Sequence, residues 1–211
     1  VEAGGAHARP FVTHHNTLDM QLYLRSALEL HLKRLIVGGM ERVFEIGRIF
    51  RNEGISTRHN PEFTMMELYQ AFADWTDVMD ITERLITNAA RGAIGSTTLS
   101  IRGENVDLGD PWPRIQMIDA ASEAIGTEIH PSMPRDTLTD IATKNDVRVA
   151  PQWLPGKIIE AIFEAHCEAD IVRPTFITGH PVDISPLSRV HRDDPFLTER
   201  FELFADGREL A

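Results

Sequence analysis

The pattern of apolar and polar residues predicts two neighbouring β-strands joined by a polar loop. In the first strand, RVFEIGRIFRNE, Phe44, Ile46 and Phe50 share one face, because successive side chains of a strand point to opposite sides. The residues on the other face are Glu45, Gly47, Arg51 and Glu53. The first strand therefore has one apolar and one more polar face.

The following segment, PEFTMMELYQAFA, divides in the same way and predicts the partner strand. Met66 and Leu68 share one face, and the opposite face carries Phe63, Met65, Glu67 and Tyr69. In an antiparallel hairpin of even register, the residues that meet on one side are Arg51, Glu53, Glu67 and Tyr69. Because Gly47 has no side chain, we expect this side to be a polar floor with a gap.

Helical periodicity predicts one helix before this hairpin and one after it. The segment SALELHLKRLIVGG has an apolar stripe, and Ser26 followed by Glu29 matches a capping box. The segment DWTDVMDITERLITNAARGAIG is amphipathic and ends in glycine. Two helices are thus expected to flank the hairpin in the chain.

Further helical segments, separated by turn-rich connectors, occupy the second half of the chain. They are RIQMIDAASEAIG, TLTDIATKND and PGKIIEAIFEAHCEA, and they indicate a small helical insertion around 113–170. Strands return in RPTFITGHPVDIS and RFELFADGRELA. Because the elements do not follow a regular βαβ order, the sequence predicts an α+β fold with a mixed or antiparallel sheet flanked by helices.

Composition and charge narrow the class of protein. A chain of 211 residues with 42% hydrophobic residues is long enough to bury a core. Its net charge of −11 argues against a general nucleic-acid binder. The single cysteine, Cys167, excludes an internal disulfide and is expected to be a structural thiol. With no apolar run of membrane length and no signal segment, we expect a cytoplasmic protein.

The loop FRNEGISTRHNPEF between the two predicted strands indicates an anion site. Arg51, Arg58 and His59 supply cationic donors, and Gly54 allows close approach of the backbone. Phe63 offers a flat surface on which a purine ring can stack. A nucleoside triphosphate satisfies both features, whereas the alternative is a surface cluster of ion pairs.

A second group of candidate residues consists of Glu29, Glu67 and Tyr69. Glu29 has a structural alternative in the capping box, and Tyr69 has one at the edge of the core. Glu67 lies in an apolar strand, where a carboxylate loses hydration unless a cation pairs with it. This group therefore indicates a ligand with a positive charge.

The segment FELFADGREL predicts a tight hairpin that carries two carboxylates. Asp206-Gly207 is a two-residue turn signal, which places Glu202 and Glu209 diagonally on one face. Two carboxylates in this arrangement suit a divalent cation such as Mg²⁺. The alternative is a solvated acidic hairpin. Adjacent His14 and His15 point to opposite faces of a strand, so we expect no shared metal there.

The segment FEIGRIFRNEGISTRHNPEFTMMELYQAFAD resembles motif 2 of the class II aminoacyl-tRNA synthetases, and its details resemble the bacterial lysyl-tRNA synthetases. The resemblance extends through GGAHARPFVTHHN and LYLRSALELHLKRLIVGG before this segment, and through RPTFITGHPVDISPLSR and RFELFADGRELA after it. It implies that residues 1–211 form part of a catalytic domain, with motifs 1 and 3 outside this stretch.

The resemblance also implies a role for each candidate residue. The residues implied to bind ATP are Arg51, Glu53, Arg58, His59 and Phe63, with Arg51 as the catalytic residue. Those implied to bind lysine are Gly5, Glu29, Glu67 and Tyr69, and those implied to bind Mg²⁺ are Glu202 and Glu209. The implied reaction activates lysine with ATP and transfers it to tRNA(Lys), in a protein that forms a homodimer.

Other functions remain open at the level of the sequence. Aspartyl and asparaginyl relatives share the arginine loop but require a positive group for the substrate side chain, so the acidic residues here favour lysine. A relative that transfers lysine to a protein acceptor would share the same motifs. A module that binds ligands without catalysis is the third alternative.

Overall fold

A computed structural model describes residues 9–56 and 59–211 of the chain. The α-helices of the described residues are α1 (Glu29–Val37), α2 (Trp75–Ile94), α3 (Met117–Ile125), α4 (Arg135–Lys144) and α5 (Pro155–His166). The first strands are β1 (Val12–His15), β2 (Met20–Tyr23), β3 (Arg42–Phe50), β4 (Glu62–Gln70), β5 (Thr98–Ile101) and β6 (Glu104–Asp107). The later strands are β7 (Arg114–Gln116), β8 (Thr175–Thr178), β9 (Phe201–Ala205) and β10 (Arg208–Glu209).

The chain divides into two compact units, Val1–Ala73 and Asp74–Ala211. In the first unit, β1 pairs with β2 and β3 pairs with β4, both antiparallel. Helix α1 packs on the β3–β4 hairpin. The core of this unit is formed by Leu28, Leu32 and Ile49, with Val43, Phe63, Met65 and Tyr69 packed around them. The hairpin predicted from the alternating pattern is therefore confirmed.

The start of helix α1 differs from the prediction. The helix begins at Glu29, with Leu28 as the N-cap residue and no side-chain cap among the described residues, so the capping box of Ser26 and Glu29 is wrong. Ser26 is 5% exposed and lies before the helix. The backbone N–H of Leu28 instead donates to the carboxylate of Glu67, 3.0 Å away, so a strand residue satisfies a donor at this helix end.

The second unit is built on a four-stranded sheet in the order β10-β9-β8-β7. Strands β8, β9 and β10 are antiparallel to their neighbours, whereas β7 pairs parallel with β8. Alternate residues of this sheet enter two different cores, with Ile177 and Phe204 in one and Phe176 and Leu203 in the other. Strand β8 is thus buried on both faces, whereas the edge strands β7 and β10 are exposed.

Different elements pack on the two faces of this sheet. Helices α3, α4 and α5 pack with one core, and helix α2 and the β5–β6 hairpin pack with the other. Helix α2 is held by a capping box of Asp74 and Asp77 and ends at Gly95, whose φ of 73° is left-handed. The helices and antiparallel sheets confirm the predicted α+β class.

Two short elements were not predicted correctly. The stretch Arg114–Gln116 is a strand and not the first turn of a helix, because it pairs with β8 over three residues. The β5–β6 hairpin was missed, although Arg102 and Gly103 at its turn have positive φ angles of 51° and 83°. Among the described residues, none of the helices combines the length and the apolar character needed to cross a membrane.

Candidate functional site

One face of the β3–β4 hairpin brings together the residues that the sequence analysis assigned to a ligand site. The register pairs Val43 with Tyr69 and Glu45 with Glu67, so odd-numbered residues of both strands share this face. Arg51 follows β3 on the same side, because its guanidinium carbon lies 5.4 Å from the centre of the Phe63 ring. Arg51 and Glu67 therefore belong to one face of one hairpin.

A cleft of about 360 Å³ opens beside Arg51 at the end of this hairpin. Its lining residues are Arg51, Glu53, Gly54, His59, Asn60, Pro61 and Phe63. Four of the five residues assigned to ATP thus lie around one cavity. The fifth, Arg58, lies outside the described residues, as does Gly5 of the lysine group.

The loop around the cleft is held by short local hydrogen bonds. The backbone N–H of Arg51 donates to the carbonyl of Pro61, 2.9 Å away, which closes the loop at its base. Nδ1 of His59 is 2.8 Å from the hydroxyl of Ser56, and the amide of Asn60 donates to the carbonyl of Glu62. Arg51 lines the cleft, and its Nε donates to the carbonyl of Ser26 at 3.4 Å.

The carboxylate of Glu67 is satisfied by two donors of the protein itself. Its Oε1 accepts the N–H of Leu28 at 3.0 Å, and its Oε2 accepts the hydroxyl of Tyr69 at 3.0 Å. These two donors are uncharged, so they offset part of the lost hydration of Glu67 and leave its negative charge in place. Burial raises the pKa of Tyr69 well above its usual value, and the nearby Glu67 and Glu29 carboxylates raise it further, so Tyr69 is a neutral donor.

Glu29 occupies the first turn of α1, and its partner is the side chain of Lys33. The ammonium of Lys33 donates to Oε1 of Glu29 and lies 5.9 Å from the centre of the Tyr69 ring. The carboxylate of Glu29 raises the pKa of Tyr69 together with Glu67. Glu29, Glu67 and Tyr69 therefore form one acidic group, and the ammonium of Lys33 lies against it.

The face of the hairpin is not the open polar floor that the sequence predicted. Its middle is covered by Leu28 and Leu32, which pack on Ile49. The gap left by Gly47 is filled by the guanidinium of Arg25, which a Cβ at position 47 would strike. Arg25 also pairs with Glu45 at 2.5 Å, so this carboxylate is neutralised next to Glu67.

Two carboxylates of the second unit lie as the hairpin signal predicted. Phe204 pairs with Glu209 across the Asp206-Gly207 turn, and Glu202 is two residues from Phe204 on the same face. Burial raises the pKa of Glu202 to about 7, with further upward shifts from Glu209 and Glu160 and a downward shift from Arg200. Arg200 forms an ion pair with Glu202 and donates to the hydroxyl of Ser185 at 2.9 Å.

This carboxylate pair fits Mg²⁺ by its chemistry. No group of three or more His, Cys, Asp and Glu residues that could hold a metal occurs among the described residues. Mg²⁺ typically takes only one or two protein carboxylates and completes its octahedron with water and phosphate oxygens. A pair such as Glu202 and Glu209 is therefore a sufficient protein donor set.

Sequence reasoning missed the basic residues that pair with Glu29, Glu202 and Glu45. Lys33 follows Glu29 at i+4, which is the spacing of neighbours on a helix, and Arg200, just before β9, precedes Glu202 by two residues. The spacing of both pairs in the sequence could have indicated them. Arg25 lies 20 positions from Glu45, so no local spacing indicates that pair.

The lone thiol and the histidine pair are consistent with structural roles. Burial raises the pKa of Cys167 to about 11, and its Sγ lies 3.5 Å from the carbonyl of Ala120. His14 lies 3.2 Å from the carboxylate of Asp19, and Nδ1 of His15 accepts the N–H of Leu18. The two rings thus have separate partners.

Comparison with known proteins adds a family and several relatives. The family described as tRNA synthetases class II (D, K and N) matches residues 1–211. Over 208 residues the chain is 52% identical to a lysine–tRNA ligase of Bacillus subtilis (strain 168), which covers 99% of the chain. It is 53% identical over 210 residues to a lysine–tRNA ligase of Enterococcus faecalis (strain ATCC 700802 / V583), which covers 100% of the chain. The chain spans 42% of the length of each of these relatives.

Proposed function

Because the chain belongs to the class II tRNA synthetases of the D, K and N type, we propose that it forms part of the catalytic domain of a lysine–tRNA ligase. The observation that carries this proposal is the cleft lined by Arg51, Glu53, His59 and Phe63, on a hairpin whose same face bears an acidic group. A cationic cleft suits polyphosphate, and an acidic group suits an ammonium.

We assign ATP to the cleft beside Arg51. Phe63 would stack on the adenine, and Glu53 would accept from the adenine side. The guanidinium of Arg51 would donate to the α-phosphate and to the carboxylate of the amino acid. His59 would contact the polyphosphate tail, as would Arg58. A cavity of about 360 Å³ lies at the small end of the usual range for nucleotide-sized ligands, consistent with a cleft that continues into open solvent.

We assign the amino acid to the acidic group. Glu29 and Tyr69 would bind the ε-ammonium of lysine, and Glu67 would meet the α-amino group together with Gly5. An asparagine side chain could offer Glu29 only a neutral amide donor, and an aspartate carboxylate would be repelled by it. The charge of this group therefore favours lysine over the other two amino acids of the family.

We assign Mg²⁺ to Glu202 and Glu209 of the second unit. When bound, Mg²⁺ would supply positive charge that neutralises phosphate oxygens. Glu202 and Glu209 would hold the ion as carboxylates, and Glu202 would then share its charge between the ion and Arg200. The raised pKa of Glu202 makes this binding dependent on pH around neutrality.

The proposed reaction has two steps. In the first, a carboxylate oxygen of lysine attacks the α-phosphorus of ATP, the bond to the β-phosphate oxygen breaks, and pyrophosphate leaves. In the second, a hydroxyl of the terminal ribose of tRNA attacks the carbonyl carbon, loses its proton, and AMP leaves. Arg51 would stabilise the charge that develops on the α-phosphate, and catalysis would rest on positioning and electrostatics.

Amino-acid-dependent exchange between ATP and pyrophosphate tests this proposal in the full-length protein. Exchange with lysine and a rate at least about 100-fold lower with aspartate or asparagine is the expected result, because discrimination rests on burying the wrong charge beside Glu29. Exchange that depends on aspartate would contradict the assignment of the acidic group. We further propose that the full-length protein is cytoplasmic and forms a homodimer. Sedimentation of the full-length protein tests the homodimer.

Two other functions receive less support. Transfer of lysine to a protein acceptor would use the same first step, so it differs only in the second substrate. A binding module without catalysis would bind ATP without exchange. Neither is favoured by the relatives in Bacillus subtilis and Enterococcus faecalis, which both carry the name lysine–tRNA ligase.

A further inference from the structure

We propose that Lys33 is a resident ammonium group, which the ε-ammonium of the substrate lysine displaces from Glu29. Lys33 would thereby set the affinity of the site for lysine. This inference rests on the proposed function, in which Glu29 and Tyr69 bind the substrate ammonium. The inference adds to the site a residue that lowers its affinity for lysine, whereas the other assigned residues raise that affinity.

The geometry of helix α1 places the Lys33 ammonium against the acidic group. Lys33 follows Glu29 by four residues, so both side chains lie on one face of the helix, one turn apart. Nζ of Lys33 donates to Oε1 of Glu29 and lies 5.9 Å from the centre of the Tyr69 ring. An ammonium held by a carboxylate and an aromatic ring makes the two contacts proposed for the substrate.

The two partners differ in their exposure to water. The side chain of Glu29 is 23% exposed, whereas that of Lys33 is 56% exposed. A largely covered carboxylate gains from a cation beside it, whichever molecule supplies that cation. The half-exposed Lys33 can return its ammonium to water at little cost when another ammonium takes its place. The exposure therefore permits exchange of one ammonium for another.

A helix-stabilising surface pair is the ordinary role of Glu and Lys at this spacing. Two observations go beyond that role here. Glu29 is coupled to Tyr69, whose pKa its charge helps to raise, and Tyr69 in turn donates to Glu67 at 3.0 Å. Lys33 therefore neutralises part of a group that contains both carboxylates and the phenol, and not an isolated surface carboxylate.

Calorimetric titration of the full-length protein with L-lysine tests this inference. We expect Lys33→Met to bind lysine about two- to tenfold more tightly than the wild type, because the competing cation is gone. Lys33→Arg keeps a cation and should bind lysine within about twofold of the wild type. Lys33→Gln serves as a second neutral variant, and the affinity for ATP should stay unchanged in all three.

Arg34→Met is the matched control for charge. It removes one positive charge from the same helix, but the next residue along the helix points about 100° away from Lys33. Its affinity for lysine should equal that of the wild type. An equal gain in Arg34→Met and Lys33→Met would show a general effect of net charge and would overturn the role of Lys33.

Two further measurements tie the effect to the ammonium and to Glu29. Norleucine lacks the ε-ammonium, so its weak binding should not improve in Lys33→Met. In a Glu29→Gln background, the Lys33→Met substitution should no longer change lysine affinity, since the shared carboxylate is absent. Unchanged or weaker lysine binding in Lys33→Met would overturn the inference, whereas failure of the wild type to bind lysine would contradict the proposed function instead.

Discussion

The guanidinium of Arg51 lies 5.4 Å from the ring of Phe63, on the face of the β3–β4 hairpin that also carries Glu67. This relationship places a cation and an aromatic surface at one end of the hairpin, as the proposed binding of ATP requires. The acidic group lies further along the same face. The cationic residues proposed for polyphosphate are thus kept apart from the acidic residues proposed for an ammonium group.

Glu67 is expected to have a structural role in addition to its proposed role in binding. Glu67→Ala leaves the N–H of Leu28 without its acceptor and should destabilise the first unit by about 1–3 kcal/mol. Glu67→Gln retains an oxygen for that N–H and should lose less stability. Thermal unfolding of both variants measures the difference, and equal midpoints would contradict the hydrogen bond to Leu28.

Gly156 is expected to tolerate no side chain. Its N–H donates to Asp183 at 2.9 Å, and a Cβ at this position would overlap the carboxylate of Asp183 and the ring of Pro181. Gly156→Ala should therefore cost about 1–3 kcal/mol of stability. Gly92→Ala is the matched control in helix α2, where a Cβ meets nothing within 4 Å, and it should stabilise by about 0.5–1 kcal/mol. Similar effects of the two substitutions on thermal unfolding would contradict the packing at Asp183.

His180 should make the protein sensitive to mild acid. It is fully buried, and Nδ1 has no hydrogen-bond partner among the described residues. Burial and the charge of Arg200 lower its pKa from 6.5 to about 4, so the unfolded state binds more protons between these two values. Stability contributed by the neutral ring is present above pH 6.5 and is lost as the pH falls towards 4.

The variant His180→Gln isolates this effect, because glutamine does not titrate. The stability of the wild type relative to the variant should fall by on the order of 2–3 kcal/mol between pH 7 and pH 4. Thermal unfolding at a series of pH values gives this difference. A constant difference across the range would show that His180 keeps an ordinary pKa in the folded state.

Cys167 should react slowly with alkylating reagents. Burial raises its pKa from 9.0 to about 11, with smaller contributions from Asp170 and Glu123. At pH 8 the thiolate fraction should be about 100-fold smaller than for an exposed thiol, since only the thiolate reacts. Iodoacetamide labelling followed by mass spectrometry measures the rate in the native and the unfolded protein. Equal rates would contradict the burial of this thiol.

The sequence was sufficient for the hairpin and for most residues around its cleft. A period of two residues predicts which side of a strand a residue occupies, so the common face of Glu67 and Tyr69 followed from the pattern alone. The Asp206-Gly207 turn fixed the register of β9 and β10 for the same reason, since a two-residue turn leaves one pairing.

The remaining features depend on contacts between distant parts of the chain. The acceptor for the N–H of Leu28 is 39 positions away, and no local pattern distinguishes it from a side-chain cap. Arg25 fills the gap at Gly47 from a separate segment, so the predicted opening in the polar face is absent. Strand β7 is only three residues long and exists through its pairing with β8, whose partner residues lie 62 positions later.

The most direct test of the central claim compares two arginines of the same hairpin in ATP–pyrophosphate exchange. Arg51 faces the cleft, whereas Arg48 lies on the opposite face of β3, is 70% exposed in its side chain and pairs with Glu62. In the full-length protein, Arg51→Ala should reduce lysine-dependent exchange by at least about 100-fold, as expected for loss of a charge-stabilising donor. Arg48→Ala should retain the wild-type rate within about threefold, and equal effects of the two substitutions, or normal exchange in Arg51→Ala, would contradict the account.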